Sequence, residues 1–374
     1  MKMAGIYIHI PFCRSRCIYC GFYSTTALDL RQRYVDAVCR EIAMVCAEAH
    51  DISTIYLGGG TPSQLTIPQL RQLFLTLYKY NKVSSDAEVT IEVNPDDVSA
   101  EFVAVLQQLP VNRVSMGAQS FDDKRLHFLH RRHTSKQVAE AVSRLRNADI
   151  QNISIDLMYG FPGETLDDWQ RDIEAALALN VEHLSAYCLT IEKNTPLYQL
   201  RMKNEELRDS FPDEELERSM YELLIDRLEA AGYEHYEISN FARPGYRSRH
   251  NSGYWNDTPY IGFGAAAHSY DGHTRSWNIA DIRQYIEGME HGERLFDAEI
   301  IEGDTRYNDR LTVALRTREG LDLSKLSEKH RDYAIKNTRR FVDDGLVKIN
   351  GSYMMLTRKG LFVSDMIMSE LIYV

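Results

Sequence analysis

Six short runs rich in β-branched and apolar residues, separated by stretches of helical periodicity, constrain this chain more than any other feature. They fall at Ile6–Ile10, Thr54–Leu57, Val89–Val93, Arg113–Met116, Ile153–Met158 and His183–Leu189. Helical patterns lie between them, near residues 28–50, 66–80, 99–108, 122–147 and 166–179. No hairpin signal joins neighbouring runs, so they read as parallel strands with right-handed crossovers. The expected fold class is α/β, a partial (βα)6 TIM-like barrel. Ligands of such sheets collect at the carboxyl ends of the strands, and an incomplete barrel uses the same face as a full one.

The first run leads directly into Cys13-Arg14-Ser15-Arg16-Cys17-Ile18-Tyr19-Cys20. A C-x3-C-x2-C loop can wrap three thiolates around three irons of a [4Fe-4S] cube and leave the fourth without a protein ligand. An open iron can take a substrate or cofactor, so the spacing argues for chemistry at the cluster. A structural zinc, with His9 or a distant histidine as fourth ligand, is the alternative. It lacks the second C-x2-C knuckle that usually accompanies it. A disulfide suits neither the missing secretory signal nor a chain with 6 cysteines in 374 residues. Cys39 and Cys46 on a predicted helix, and Cys188 in a predicted strand, are expected as small core residues.

Composition narrows the partners. Hydrophobic content of 44% and charged content of 26% are ordinary for a globular protein. No apolar run approaches the roughly 20 residues that cross a bilayer. A net charge of −11 argues against a nucleic-acid surface. The basic run Lys124–Arg132 reads as a solvated helix end.

Every other unusual motif of the first half also sits at a strand end. Gly58-Gly59-Gly60-Thr61-Pro62 follows the second run, where missing side chains let backbone approach a ligand; a plain βα turn would look similar. The third run ends in Glu92 and Asn94-Pro95, the fourth delivers Gln119, and the fifth carries Asp156 before Tyr159-Gly160-Phe161-Pro162-Gly163. An acid within an isoleucine-rich strand is costly unless paired, and Arg131 is the expected partner, in a site or in a structural ion pair.

Together, the three cysteines, Tyr19 and the glycine run resemble the radical S-adenosylmethionine superfamily. Tyr7-Ile8-His9-Ile10-Pro11-Phe12-Cys13, Thr90-Ile91-Glu92-Val93-Asn94-Pro95, Ser115-Met116-Gly117-Ala118-Gln119-Ser120-Phe121 and Ile155-Asp156-Leu157-Met158-Tyr159-Gly160-Phe161-Pro162-Gly163 narrow this. They resemble the oxygen-independent coproporphyrinogen dehydrogenase family, and within it most of all the heme chaperone branch. The resemblance implies a [4Fe-4S] cluster on Cys13, Cys17 and Cys20, with S-adenosyl-L-methionine bound at the open iron and split by one electron from the cluster. It also implies that Tyr7 and Tyr19 flank the adenosine and that Gly59, Gly60 and Thr61 face the methionine amino group. Glu92, Gln119, Arg131 and Asp156 match polar positions that hold the same cofactor.

Two departures from the decarboxylases favour the chaperone branch. Their fourth cysteine, two positions after the last cluster cysteine, is Phe22 here, and their N-terminal extension over the substrate site is not expected. His250-Asn251-Ser252-Gly253-Tyr254-Trp255 matches a motif of the chaperone branch, which makes His250 the candidate heme ligand, with His268 a second. Either could equally be one of twelve histidines with a structural role.

Residues 1–300 are expected as the barrel domain, with a core at 5–200 and an extension at 201–300. Residues 301–374 read as a winged-helix-like domain: helices at 305–317, 323–328 and 332–345, a hairpin around Asn350-Gly351, and a last helix from Arg358. A docking or lid role is favoured there over DNA binding. The resemblance thus implies a heme chaperone that binds heme, takes an electron from a donor and delivers heme to respiratory or other heme-accepting proteins at the membrane. Nucleic acid is not an expected partner. The expected place is the cytoplasm, with peripheral contact at the inner face of the membrane. Two alternatives stay open: oxidative decarboxylation of two propionates of coproporphyrinogen III, or another radical reaction dependent on S-adenosylmethionine.

Overall fold

The apolar runs become strands because each alternates between two environments. The computed structural model describes residues 4–46 and 51–374. Strands β1 (Ala4–Ile10), β2 (Asp51–Gly59), β3 (Lys82–Val93), β4 (Arg113–Gln119), β5 (Asn152–Tyr159) and β6 (His183–Cys188) lie side by side in that order. All their pairings are parallel. Ile6, Ile8, Ile55, Leu57, Ile91, Val114, Ile153, Ile155 and Leu184 are fully buried against helix residues such as Val38, Leu73, Val138 and Ile173. The intervening positions hold Tyr7, His9, Tyr56, Glu92, Arg113, Ser115, Ser154, Asp156, His183 and Ser185. Successive strand residues point to opposite faces. The barrel therefore has an apolar face under its helices and a polar interior, where a packed barrel would carry branched aliphatic residues.

Helices Arg31–Val45, Ile67–Tyr80, Ala100–Leu106, Ser135–Asn147 and Leu166–Ala178 cover the sheet. Capping boxes at Thr66/Gln69, Thr134/Gln137 and Thr165/Asp168 start three of them. The helix expected over 122–147 is two helices, Asp123–Phe128 and Ser135–Asn147. Asp122 caps the first and Thr134 the second, and His130 between them has a left-handed φ of 60°. That break carries Arg131. The end of the expected helix 28–50 falls partly on residues 47–50, outside the described ones.

Six short strands extend the sheet to twelve. Beyond β6 lie β7 (Glu234–Glu237) and β8 (Asn240–Ala242), with β8 antiparallel to β6. Beyond β1, β9 (Tyr260–Phe263) pairs in parallel, followed by antiparallel β10 (His268–Tyr270), β11 (Thr274–Asn278) and β12 (Phe296–Ile300).

The last part of the chain has its own apolar cluster, centred on Leu311, Leu315, Leu321, Phe341, Met354 and Ile367. Its sheet is β13 (Leu321–Asp322), β14 (Val347–Asn350) and β15 (Tyr353–Leu356), all antiparallel, in a winged-helix-like setting of helices Gly303–Ala314, Glu328–Asp343 and Ser364–Leu371. The helix expected at 323–328 is one 3-10 turn, Leu323–Lys325, directly after β13 and ahead of the helix that starts at Glu328. The Asp322 carboxylate accepts from Ser324 N–H, and Ser327 caps the next helix. Ion pairs tie this unit to the barrel: Arg316 to Glu237 at 2.8 Å, Arg310 to Asp257 at 2.7 Å and Arg358 to Asp226 at 2.6 Å. Among the described residues no helix is long and apolar enough to cross a membrane.

Candidate functional site

The cysteine loop is anchored before any ligand arrives. Cys13 N–H donates to Thr25 O at 2.9 Å, Thr25 N–H donates back to Pro11 O at 2.7 Å, and Cys20 N–H closes a turn on Cys17 O at 3.3 Å. The three thiols are free and partly accessible. Cys13 Sγ lies 3.6 Å from Thr61 Oγ1, which joins the cysteine loop to the end of β2. Burial pushes the Cys13 and Cys20 thiols up. Bound iron would remove those protons outright. Among the described residues no group of three or more His, Cys, Asp or Glu side chains, the three cysteines included, is arranged to hold a single metal ion. His9 is not a spare ligand either. Its Nε2 donates to Tyr23 O at 2.9 Å, so its Nδ1 accepts from Tyr7 hydroxyl at 3.0 Å.

The glycine run is needed by the protein itself. A Cβ on Gly59, whose φ is 109°, would stand 2.5 Å from the His9 ring, and one on Gly60 would stand 2.7 Å from Pro11 backbone. One on Gly58 would meet Glu92 Oε1 at 2.8 Å. The bare backbone lets β1, β2 and Glu92 close together at the strand ends. Gly59 N–H then donates to Glu92 Oε2 at 3.0 Å, and Tyr56 hydroxyl to Oε1 at 2.7 Å.

Glu92 on β3 and Asp156 on β5 are carboxyls of the interior. Burial pushes Glu92 up to about 7 and Asp156 up to about 6. The hydroxyls of Ser185 and Ser115 and the charges of Arg113 and Arg131 act against burial at Asp156. Arg131 does not form the expected ion pair with Asp156. Its guanidinium donates to Asn94 Oδ1 at 2.7 Å and to Gly117 O, and reaches Cys17 Sγ at 3.6 Å. Its Nε is buried with no partner. Gln119 sits at a register shift between β4 and β5, with a left-handed φ of 68°. A bulge of this kind re-aims a side chain at a strand end. Tyr19 packs beside Met158, Phe161 and Leu189, under the charge of Arg131.

Cys13, Cys17, Cys20, Tyr19, Gly59, Gly60, Thr61, Glu92, Gln119, Arg131 and Asp156 thus belong to the carboxyl ends of β1 to β5 and the loops beyond them. Tyr7 lies one layer deeper, stacked 6.2 Å from Tyr56. Periodicity and motif spacing do not reveal Tyr56, Arg113 or Tyr23, whereas Asn94, beside Pro95 at the end of the third run, carries a local signal. The basic run Lys124–Arg132 is not a solvated helix end throughout. Arg125 is 13% exposed among Glu164, Asp168 and Asp172, and Arg132 pairs with Asp96 and Asp97.

His250 lies at the other end of the barrel. It is 3% exposed, with Nδ1 2.9 Å from Thr54 hydroxyl and Nε2 2.9 Å from Tyr254 hydroxyl. Both ring nitrogens are engaged, so iron ligation there would require one of these bonds to be given up. His268 is exposed and stacks 5.8 Å from Trp277.

A three-cysteine loop at the mouth of a six-stranded parallel barrel defines the class, and the sequence profile of the radical SAM superfamily matches residues 7–176. Heme chaperone HemW of Bacillus subtilis is 37% identical over 368 residues, covering 96% of this chain and 96% of that protein. Heme chaperone HemW of Mycobacterium tuberculosis is 35% identical, covering 98% of this chain and 94% of that one. The chain belongs to the radical SAM superfamily and, within it, to the heme chaperone HemW family. Its fold matches the solved structure of the Escherichia coli coproporphyrinogen III oxidase HemN, a radical SAM enzyme, with a TM-score of 0.84. That match covers 99% of this chain and 90% of the other at 23% identity.

Proposed function

We propose that the chain is a heme chaperone that carries a [4Fe-4S] cluster on Cys13, Cys17 and Cys20 and binds S-adenosyl-L-methionine beside it. The observation that carries this reading is end-to-end identity with heme chaperones, 37% over 96% of both chains. Phe22, 71% exposed where the decarboxylases have a further cysteine, supports the same branch. The donor set fits the cofactors: three free thiols, a buried guanidinium with a bare Nε next to Cys17, and two carboxyls at the strand ends.

The chemistry supplied by the bound cluster and cofactor is one-electron cleavage of a sulfonium carbon–sulfur bond. The chain's own residues position and shield it. Arg131 offers a two-pronged, permanently charged face to a carboxylate. Asp156 and Glu92 accept hydrogen bonds from hydroxyl and amino groups. Gly59, Gly60 and Thr61 offer backbone to the methionine amino group, Gln119 adds an amide, and Tyr7 and Tyr19 wall the adenosine. Residues 1–300 form the cofactor-binding part, and 301–374 a docking or lid module. The recipients are respiratory or other heme-accepting proteins at the inner face of the membrane, and an electron donor serves the cluster from the cytoplasm.

The test is an anaerobic comparison on reconstituted protein. Hemin binding and transfer to an apo-heme protein are followed in one arm. Coproporphyrinogen III with S-adenosylmethionine and a reductant is followed for porphyrin products in the other. Heme transfer without decarboxylated product is expected. Decarboxylated product, with no transfer, would make this a tetrapyrrole-synthesis enzyme and overturn the reading.

A further inference from the structure

The helix Arg249–Trp255 has two working faces. His250 and Tyr254, four apart, bond each other and close the amino-terminal end of the barrel. Ser252 and Trp255, three apart, lie on another side of the helix and line a groove of about 620 Å3. The far wall of the groove comes from the carboxyl-terminal unit: Val313, Leu321, Tyr353 and Met355. That volume falls within the ~300–1,000 Å3 typical of cofactor sites.

Two observations mark the groove as built for a ligand. Trp255 Nε1 is buried with no hydrogen-bond partner, whereas buried indole N–H groups are normally paired. Arg316 stacks on the same ring at 5.2 Å, which fixes the indole in place. The chemistry of the lining is amphipathic. Aromatic and aliphatic surface from Trp255, Tyr353, Val313 and Leu321 forms the walls, and at the rim Lys325, Arg310 and Arg247 stand beside Asp322, Asp257 and Glu319, which line the groove as well. Lys325 is 72% exposed, and its ion-pair contact to Asp322 is at 3.8 Å. Arg310 gives Nε to Asp257 at 2.7 Å and Nη1 to Lys325 O at 3.3 Å, leaving Nη2 for a further acceptor. No histidine lines the groove, but Met355 and Tyr353 carry thioether and phenol groups of the kind that ligate heme iron.

We propose that this groove between the helix Arg249–Trp255 and the carboxyl-terminal unit, rather than His250, holds a flat, dicarboxylate tetrapyrrole. This rests on the heme-chaperone reading and adds the place. The macrocycle lies against Trp255 and Leu321, with its carboxylates at Lys325 and Arg310. Heme and the radical cofactor then occupy opposite ends of the barrel, and the carboxyl-terminal unit forms one wall of the cargo site.

The experiment is a hemin titration of the full chain with its cluster reconstituted, followed at the Soret band. The wild type is compared with Val313→Trp, which fills the groove, Lys325→Glu at the exposed rim, and His250→Ala. Iron content and thermal melting report cluster loading and folding in each. Val313→Trp is expected to raise the hemin dissociation constant about tenfold or more, and Lys325→Glu several-fold, with iron content unchanged. Lys325 is exposed, so its variant keeps the test decisive if Val313→Trp does not fold. Unchanged affinity in Lys325→Glu and every folded groove variant, with loss in His250→Ala, overturns the groove and returns the heme to the histidine. Absence of hemin binding by the wild type overturns the chaperone reading itself.

Discussion

The two ends of the barrel both hold buried polar side chains and differ in where those side chains find partners. At the amino-terminal end, Glu88 accepts from the Arg249 and His250 N–H groups at 3.0 Å each. His183 joins Ser154 and Tyr236 hydroxyls at 2.7 Å each, and His250 joins Thr54 and Tyr254. At the carboxyl-terminal end, three thiols are free, Arg131 has a bare Nε, and burial raises both Glu92 and Asp156. A buried polar group satisfied within the protein holds the fold. One left without partners, in a cleft, is a site for something else. Arg113 bridges the two. It is 1% exposed with Nε and Nη1 unpartnered, and its charge acts on His250 below and on Glu92 and Asp156 above.

The comparison breaks most severely at a ligand cysteine. Cys17→Ala is expected to abolish the cluster, seen as loss of iron and of charge-transfer absorption after anaerobic reconstitution, while the fold persists by circular dichroism. Retention of four irons would remove Cys17 from the ligand set.

Gly59→Ala tests how the carboxyl-terminal end is closed. The new Cβ meets the His9 ring at a backbone φ of 109°. A loss of about 1–3 kcal/mol in denaturant unfolding is expected, with poorer cluster loading. Wild-type stability would show that the strand ends yield more easily than the packing indicates.

His250→Asn sharpens the other end. Burial first, and then the Arg113 charge, lower the His250 pKa to about 3. The unfolded chain takes up a proton near the ordinary value of about 6.5 and the folded chain does not. Stability from this group is therefore complete above pH ~6.5 and lost as pH falls toward the folded value, by about 1.4 kcal/mol per pH unit. The variant should lose that part of the acid slope, and an unchanged slope would contradict the internal pairing.

Glu92→Gln gives the smallest expected effect, and one of opposite sign. With its pKa raised to about 7 from 4.5, the folded, cofactor-free protein holds a proton that the unfolded chain releases. Its contribution to stability is present at low pH and is lost as pH rises through about 7. S-adenosylmethionine binding should strengthen over the same interval, as the carboxylate becomes an acceptor. The variant should flatten both profiles, and a persisting inflection near 7 would assign it to another group.

Much of this was legible because strand alternation and motif position are local. The six parallel strands follow from runs such as Ile6–Ile10 and Ile153–Met158, whose apolar faces meet helices on one side. Cys13, Cys17 and Cys20 stand out by their spacing at the end of the first strand. What sequence could not carry was pairing at long range. Arg131 was matched to Asp156, yet a broken helix at His130 turns it toward Asn94 and Cys17. Arg125 reads as a solvated helix end, yet it packs among Glu164, in the loop after β5, and Asp168 and Asp172 of the helix Leu166–Ala178. Strands β7 to β12 are too short for a periodic signal, and the helix expected at 323–328 is cut to the single turn Leu323–Lys325 because Asp322 caps it and Ser327 caps the next helix. His250 drew attention by its motif, but its bond to Thr54 spans the chain and only the fold reveals it.

The most direct test of the account is the electron paramagnetic resonance spectrum of the reduced, reconstituted cluster, recorded with and without S-adenosylmethionine. Three cysteine ligands and one open iron predict a [4Fe-4S]+ signal that shifts on addition of the cofactor. A four-iron signal that does not respond would mean that the fourth iron is held by the protein, and the reading of the cysteine loop as a cofactor site would be wrong.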